Sequence, residues 1–132
     1  MTDANGIPLG LTVTGANVHD KWQAAPTLDD VRNHAPGRRH RPANCCFDKG
    51  YDYQDAERAV RRRGIRPHIR RRGEQPLVGC TRGKPRRWVV ERTNSWHNRF
   101  RGLLIRWERQ GANYLAMCQL ACAIIAFQQA IR

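Results

Sequence analysis

The feature that most constrains this chain is the concentration of its positive charge in one segment. Residues 58–109 contain 17 Lys or Arg and three acidic residues, a balance of +14, whereas the other 80 residues have a balance of −1. Such a segment stays at the surface and repels itself unless counter-charges neutralise it. Arg accounts for 21 of the 24 basic residues, and its guanidinium binds phosphate bidentately. The pattern favours a nucleic-acid partner over a solvated face kept soluble by its charge.

Length and hydropathy indicate a small soluble protein. The 132 residues correspond to one domain, and a hydrophobic content of 40% is too high for a disordered basic tail. No apolar run approaches the roughly 18 residues of a spanning helix, and no signal peptide is visible, so we expect a cytoplasmic, nucleoid-associated protein without a membrane partner. The five Cys and five His lack zinc-site spacing, and Cys118 and Cys122 are expected to be core residues.

Short strand-like runs alternate with helical patterns, which is typical of an α/β fold. Three strands are predicted, at Ile7–Thr14, Ala43–Phe47 and Ile65–Ile69. The middle one is apolar and is expected to be buried. Four helices are predicted, within Trp22–Asn33, Tyr53–Arg63, Arg86–Arg109 and Tyr114–Ile131. The chain is thus divided into a strand and loop (1–20), a strand–helix–strand unit (43–69), a basic loop (70–85) and two helices (86–132).

The helix ends are predicted from capping residues. Thr27 is a candidate N-cap within the first helix, and Asp52 is a candidate N-cap for the second. Gly64 is expected to end the second helix, and Gly111 to end the third. The inner stripe of the second helix is expected at positions 56, 59 and 60, all Ala or Val.

Two acidic residues stand out from this pattern. Asp48 ends a strand just before a turn and a helix, and functional groups gather at the carboxyl ends of strands in open α/β sheets. Glu91 is a lone acid in an arginine-dense helix. Hard oxygen ligands surrounded by Arg are typical of Mg²⁺-dependent phosphoryl transfer on DNA. The alternative is structural, with Asp48 a turn residue and Glu91 a partner of Arg87 or Ser95.

Four strings resemble the catalytic domain of bacterial insertion-sequence DDE transposases, of the type of families four and five. The strings are D-A-N-G-I-P-L with T-G-A-N-V-H-D (3–20), F-D-K-G-Y-D (47–52), W-V-V-E-R-T with its continuation (88–101), and N-Y-L to L-A-C-A-I-I (113–125). They occur in the family's order and extend over nearly the whole chain. The resemblance implies a ribonuclease-H-like fold, here incomplete and followed by C-terminal helices.

The resemblance also implies site residues. Asp48 matches the family's second catalytic Asp and Glu91 its catalytic Glu, so both would bind Mg²⁺ or Mn²⁺. Arg87 matches the Arg of the family's signature around that Glu, whereas the signature's Tyr and Lys are replaced by Lys84 and Asn98. The reaction would be hydrolytic nicking at the transposon ends, followed by attack of the freed 3′-hydroxyl on target DNA. Contacts to DNA are expected from Lys49, Arg70, Arg71, Arg72, Arg87, Arg92 and Arg99.

The family's first catalytic Asp has no counterpart in this sequence. Asp3 belongs to a turn after the strand that would carry it, and Asp20 to a later loop. We therefore expect the C-terminal portion of a transposase, inactive alone and acting with an upstream-encoded N-terminal portion as a homo-oligomer on DNA. The alternatives are a remnant of a decayed element and a non-enzymatic, basic nucleic-acid-binding module. Trp88 and Trp96 are candidates for stacking on a splayed base, although core packing with Phe100 also explains Trp96.

Overall fold

The computed structural model of the chain describes residues 1–34, 42–71, 73–74 and 87–131, with the backbone alone at 32–34 and 87. These residues fall into two compact units. Unit 1 consists of Met1–Val13 and Arg86–Arg132, and unit 2 of Thr14–Pro85. The mixture of helices with a small sheet agrees with the predicted α/β class. That the whole chain is a single domain stays a prediction.

The described residues of unit 2 form a two-stranded parallel sheet, two α-helices and two short 3₁₀ helices. Its elements are a 3₁₀ helix at Asp20–Gln23, α1 at Ala24–His34, β1 at Asn44–Phe47, a 3₁₀ helix at Lys49–Tyr51, α2 at Gln54–Arg61, and β2 at Arg66–Ile69. The register pairs Asn44 with Arg66 and Phe47 with Ile69. Two of the three predicted strands and both helices predicted for this region are therefore confirmed. The basic segment 75–85 and Arg72 lie outside the described residues.

The core of unit 2 forms where α1 meets α2. Buried apolar residues recur at helical spacing in α1 (Ala24, Leu28, Val31) and in α2 (Ala56, Val60), and Val60 is the most deeply buried at 1% exposure. Ala59, predicted in the same stripe, is half-buried. Across the end of this interface Arg63 Nε donates to Asp29 Oδ1 at 2.9 Å. This hydrogen bond raises the pKa of the Arg63 guanidinium above its ordinary value.

Two predicted caps are wrong. Thr27 lies inside α1, and the N-cap of the preceding 3₁₀ helix is His19. Helix α2 begins at Gln54 with Tyr53 as its N-cap and without a side-chain cap. Asp52 instead ends the turn before it, where its backbone N–H donates to the Lys49 carbonyl at 3.2 Å. Gly64 behaves as predicted, with a positive φ of 73° just after the helix.

The prediction that β1 is buried is also wrong. Its residues alternate, with Asn44 and Cys46 exposed and Cys45 and Phe47 half-buried. An apolar run is buried throughout only where both faces of a sheet are covered, and here one face remains accessible to solvent. The burial of the Cys45 face raises the pKa of its thiol to about 11, with a further contribution from Cys46.

Unit 1 is mainly helical. Its elements are α3 at Arg87–His97, the one-turn α4 at Arg101–Leu104, and α5 at Gly111–Ala130. The single long helix predicted at 86–109 is wrong, because α3 ends at His97 and Phe100 has extended backbone angles. The sequence pattern did not reveal this break, because apolar residues continue at helical spacing beyond it. After the break Leu103 is still half-buried, whereas Trp107 is 80% exposed. Gly111 begins α5 rather than ending the preceding helix.

The N-terminal segment of unit 1 is a turn with one antiparallel bridge, between Thr2 and Pro8. Asp3 Oδ1 accepts hydrogen bonds from the Asn5 and Ile7 N–H groups, both at 2.8 Å, and Gly6 has a φ of 85°. The turn was predicted correctly. The strand predicted at Ile7–Thr14 was not found, because alternation supplies strand propensity whereas a strand also requires a paired neighbour.

Helix α5 is apolar on all sides. Its buried residues are Cys118, Ala121 and Ile125, so the expected burial of Cys118 is confirmed, and Cys122 is half-buried. Four large apolar residues of the helix are exposed by 37% or more: Met117, Leu120, Ile124 and Phe127. Helix α5 is long and apolar enough to cross a membrane by length and composition only, since it contains no Asp, Glu, Lys or Arg.

Candidate active site

Asp48 lies directly after β1, as predicted, and its carboxylate caps the following turn. Asp48 Oδ1 accepts the Gly50 N–H at 2.9 Å, which makes Asp48 the N-cap of the 3₁₀ helix Lys49–Tyr51. A Cβ at position 50 would lie 3.0 Å from the same oxygen, so a side chain there would displace the carboxylate by a few tenths of an ångström. Asp48 is exposed. The turn thus fixes a solvent-accessible carboxylate at the carboxyl end of the strand.

The parallel register brings basic residues to the same edge. Phe47 pairs with Ile69, so the next positions along the two strands are Asp48 and Arg70. Both are exposed, and so is Lys49. Because the carboxyl ends of parallel strands meet at one edge of a sheet, Asp48, Lys49 and Arg70 share this edge. This placement combines a candidate metal ligand with candidate phosphate contacts.

The segment after β2 is a turn closed by Glu74. The Arg71 N–H donates to Glu74 Oε2 at 3.0 Å, and Arg70 Nη2 donates to the Glu74 carbonyl at 3.1 Å. Gly73 supplies a φ of 84° within the turn. These bonds hold the Arg70 guanidinium and the Arg71 backbone in the turn that follows β2. The third predicted DNA contact of this group, Arg72, lies outside the described residues.

Tyr51 ends the 3₁₀ turn that follows Asp48, called the Asp48 turn below, and its side chain lies near acidic residues. Burial, and then the charges of Asp20 and Asp48, raise the pKa of its hydroxyl above the ordinary value. Nearby negative charges disfavour the phenolate, so the Asp20 and Asp48 carboxylates add to the effect of burial. Its ring packs against Phe47 with 5.2 Å between centroids. The Asp48 turn is therefore anchored on the half-buried face of β1.

Glu91 is exposed on α3. The helix is fixed by its neighbouring residues, since Val89 is buried and Thr93 Oγ1 donates to the Gly6 carbonyl at 2.6 Å. A Cβ at Gly6 would lie 3.2 Å from both Thr93 Oγ1 and the Val89 carbonyl oxygen, and the φ of 85° at this position also favours glycine. The D-A-N-G turn thereby holds the segment of α3 that carries Glu91.

Arg92 lies between two indole rings on α3. Its guanidinium carbon is 4.7 Å from the centroid of the Trp88 ring and 5.8 Å from that of Trp96, both cation–π distances. Arg92 Nη1 also donates to the Asn5 carbonyl at 3.3 Å. Arg99, another predicted DNA contact, is exposed just after α3. The side chain of Arg87, in the first turn of α3, lies outside the described residues.

The two candidate ligands belong to different units, Asp48 to unit 2 and Glu91 to unit 1. Their convergence at one metal site stays a prediction. Exposed carboxylates are the donor type that Mg²⁺ and Mn²⁺ prefer. In number the donors fall short, since no group of three or more His, Cys, Asp or Glu among the described residues could hold a metal ion. The donors present therefore fit a divalent cation in type and need at least one further ligand.

Sequence reasoning missed three residues that organise the site. Thr93 and Gly6 join α3 to the N-terminal turn, and Tyr53 forms a hydrogen bond with His19 beside the Asp48 turn. Thr93 and Gly6 are separated by 87 positions, so no local pattern reveals their contact. A signal was present nevertheless for Thr93 and Gly6, because each lies in one of the family-like strings, whereas Tyr53 directly follows the string F-D-K-G-Y-D.

Comparison with known proteins identifies the class. A family model described as "Transposase DDE domain" matches residues 1–126. The chain therefore belongs to the insertion-sequence DDE transposases. It is 42% identical, over 130 residues, to a protein of Burkholderia cepacia described as "Putative transposase for insertion sequence element IS402". The alignment covers 96% of this chain and 60% of that relative, so the chain spans well under two thirds of the relative's length. No solved structure matches the chain.

Proposed function

We propose that the chain is the C-terminal part of a ribonuclease-H-like transposase catalytic domain that cleaves and joins DNA with a divalent metal ion. Membership in the DDE family carries this proposal. Asp48 and Glu91 supply two of three acidic ligands, and a longer polypeptide or a partner chain supplies the third. A divalent ion held by these carboxylates would supply the charge that activates an attacking oxygen and stabilises a leaving one. Alone, the chain is inactive.

The proposed role of the basic residues is to bind and orient DNA beside the carboxylates. Lys49 and Arg70 lie at the same edge of the sheet as Asp48, with Arg71 next in the chain, and these three residues would contact phosphates flanking the scissile bond. Arg87, Arg92 and Arg99 would act in the same way along α3, and Arg72 after β2. The partners are transposon ends and target DNA, bound by a homo-oligomer in the cytoplasm at the nucleoid.

A reconstitution experiment tests the proposal. The chain is assayed for end cleavage and strand transfer with matched transposon ends and Mg²⁺, alone and after fusion to the part of the Burkholderia cepacia relative outside the matched region. We expect activity only from the fusion. Asp48→Ala or Glu91→Ala should abolish it and leave DNA binding intact, because removing a negative charge does not weaken attraction to phosphate.

Glu108→Ala is the matched control, since Glu108 is an acid of unit 1 whose carboxylate accepts the Gln110 N–H in a turn. It should leave cleavage unchanged. Robust activity of the unfused chain would contradict the proposed incompleteness. Cleavage by the fusion that survives both Asp48→Ala and Glu91→Ala would refute their role as ligands. DNA binding without cleavage by any fusion would favour the non-enzymatic binding module.

A further inference from the structure

A cluster of side chains in unit 2 joins the His19–Asp20 segment to the Asp48 turn. His19 Nδ1 accepts the Lys21 N–H at 3.2 Å, and His19 Nε2 lies 3.2 Å from Tyr53 Oη. Because Nδ1 is an acceptor, the neutral imidazole carries its proton on Nε2 and donates it to the Tyr53 hydroxyl oxygen. The two rings meet edge to face, with centroids 5.1 Å apart. One histidine therefore caps a 3₁₀ helix and bonds to a tyrosine 34 positions later.

Lys21 holds the same tyrosine from its ring face. The Lys21 ammonium is 4.5 Å from the centroid of the Tyr53 ring and 4.6 Å from that of Trp22. It also forms an ion pair with Asp55 Oδ2 at 3.6 Å. A cation over an aromatic face is attracted by the ring quadrupole. Tyr53 is thus contacted at its hydroxyl by His19 and at its ring by Lys21.

Tyr53 is in turn connected to Asp48 through the backbone. Its N–H donates to the Tyr51 carbonyl at 2.8 Å, and the Tyr51 N–H donates to the Asp48 carbonyl at 3.2 Å. The loop 48–53 is consequently held at one end by β1 and at the other by Tyr53, the N-cap of α2. Two consecutive hydrogen bonds therefore link the backbone of Tyr53 to that of Asp48.

We propose that His19 and Tyr53 are positioning residues for the Asp48 carboxylate. Their hydrogen bond locks the far end of the Asp48 turn, so the carboxylate is presented in one orientation before any cation or DNA arrives. This role rests on the proposed function of Asp48 in metal binding. It assigns a task to the histidine of the G-A-N-V-H-D string, which otherwise has none in the site.

The Gly50 amide provides a direct readout, because its N–H donates to Asp48 Oδ1. In the ¹⁵N-labelled chain of 132 residues, the Gly50 chemical shift and hydrogen-exchange rate are measured without metal. Tyr53→Phe removes the hydroxyl and keeps the ring over Lys21. His19→Asn keeps an oxygen near the Lys21 N–H and loses the reach to Tyr53. Tyr114→Phe is the control, since Tyr114 donates its hydroxyl proton to the Leu103 carbonyl in unit 1.

We expect Tyr53→Phe and His19→Asn each to shift the Gly50 resonance and accelerate its exchange about 2- to 10-fold, the range of one hydrogen bond. The double variant should match the single ones, since both remove the same bond. Tyr114→Phe should leave Gly50 unchanged. An unchanged Gly50 in either single variant overturns the proposal, as does an effect of Tyr114→Phe equal to that of Tyr53→Phe. A purely structural role would lower the melting temperature and leave Gly50 as in the wild type.

Mn²⁺ titration separates this proposal from that for Asp48. Paramagnetic broadening of the Gly50 amide should require a higher Mn²⁺ concentration in Tyr53→Phe than in the wild type, and should be lost in Asp48→Asn. Broadening equal in wild type and Asp48→Asn would defeat Asp48 as a ligand. The metal-free Gly50 data would still decide whether His19 and Tyr53 orient the carboxylate.

Discussion

In the Asp48 turn, the closest approach of the backbone to the Asp48 carboxylate is at Gly50, which has no side chain. The backbone N–H of Gly50 bonds to the Asp48 carboxylate, and a Cβ there would lie 3.0 Å from Asp48 Oδ1. The backbone itself does not require glycine, since Gly50 is not among the glycines with positive φ. The constraint is therefore on the position of the carboxylate and not on the stability of the loop.

Gly50→Ala should displace the Asp48 carboxylate by a few tenths of an ångström and leave the fold intact. End cleavage by the reconstituted transposase should fall about 10- to 100-fold, as expected for a misplaced catalytic group. Gly64→Ala is the opposite case, because Gly64 has a φ of 73° and a Cβ at that position would meet no atom of the described residues within 4 Å. It should cost about 1–2 kcal/mol of unfolding free energy and spare specific activity. If Gly50→Ala lowered the unfolding free energy and left cleavage unchanged, glycine would be needed at position 50 for the backbone conformation and not for the position of the carboxylate.

The alternation of β1 predicts different reactivity for two adjacent cysteines. Burial raises the pKa of Cys45 from 9.0 to about 11, whereas Cys46 is exposed on the face shared with Asp48. The thiolate is the nucleophile, so at pH 9 Cys45 is almost entirely unreactive, and its alkylation should accelerate as the pH rises towards 11. Because folding favours the neutral thiol, its contribution to stability is complete below pH 9 and is lost as the pH approaches 11.

Iodoacetamide labelling of two variants measures this difference. Cys46→Ser should remove one rapidly alkylated site at pH 9, and Cys45→Ser should remove none. Equal losses from the two variants would mean that β1 does not present alternate faces, and the exposed orientation of Asp48 would lose its support.

At this scale the sequence predicted residue types and local positions well. Asp48 was placed at the end of a strand, Gly64 after a helix and Asp3 in a turn, because each depends on neighbours within a few positions. The contact of Thr93 with Gly6 and that of His19 with Tyr53 were not predicted, since both join segments far apart in the chain.

Among the elements, α5 combines the greatest length with little burial. It has 20 residues, of which three are buried. Ile124 and Ile125 are adjacent and chemically identical, yet they are 37% and 3% exposed. The loss of unfolding free energy on truncating each isoleucine to alanine therefore measures how much packing at that face of the helix stabilises the fold.

Ile125→Ala should lower the unfolding free energy by about 2–4 kcal/mol, since it leaves a cavity in the core of unit 1. Ile124→Ala should cost much less, because the side chain is already partly hydrated. Urea denaturation of both variants measures the two values. Equal and large losses would indicate that the Ile124 face is covered in solution by another copy of the chain or by a different partner.

Elements were predicted where periodicity and end signals agreed, and missed where a tertiary contact decides. Strands β1 and β2 and helices α1 and α2 were found from pattern and turn residues. The break after His97 was missed because apolar residues continue at helical spacing beyond it. His97 Nδ1 bonds to the Thr93 carbonyl and Nε2 lies 3.3 Å from Cys122 Sγ, and no local signal reveals that second contact.

For the whole molecule, part of the positive charge is neutralised internally. The sequence carries a net charge of +13, and the basic segment 58–109 was predicted to repel itself unless counter-charges neutralise it. Some of these counter-charges are internal, since Arg61 pairs with Glu57 at 2.7 Å and Arg63 pairs with Asp29. The family match supports nucleic acid as the partner of the remaining charge, and the Asp48 edge is where candidate ligand and cations meet.

Salt dependence distinguishes local phosphate contacts at that edge from general attraction. In titrations of the chain with duplex DNA, Arg70→Gln and Arg71→Gln should each lower affinity and reduce the slope of log K against log salt concentration by about 1, as expected for one lost phosphate contact. Arg61→Gln removes the same charge from an arginine already paired with Glu57, so its slope should stay close to that of the wild type. If all three variants change the slope equally, DNA binding depends only on the net charge of the protein. In that case the edge of the sheet beside Asp48 makes no specific phosphate contacts.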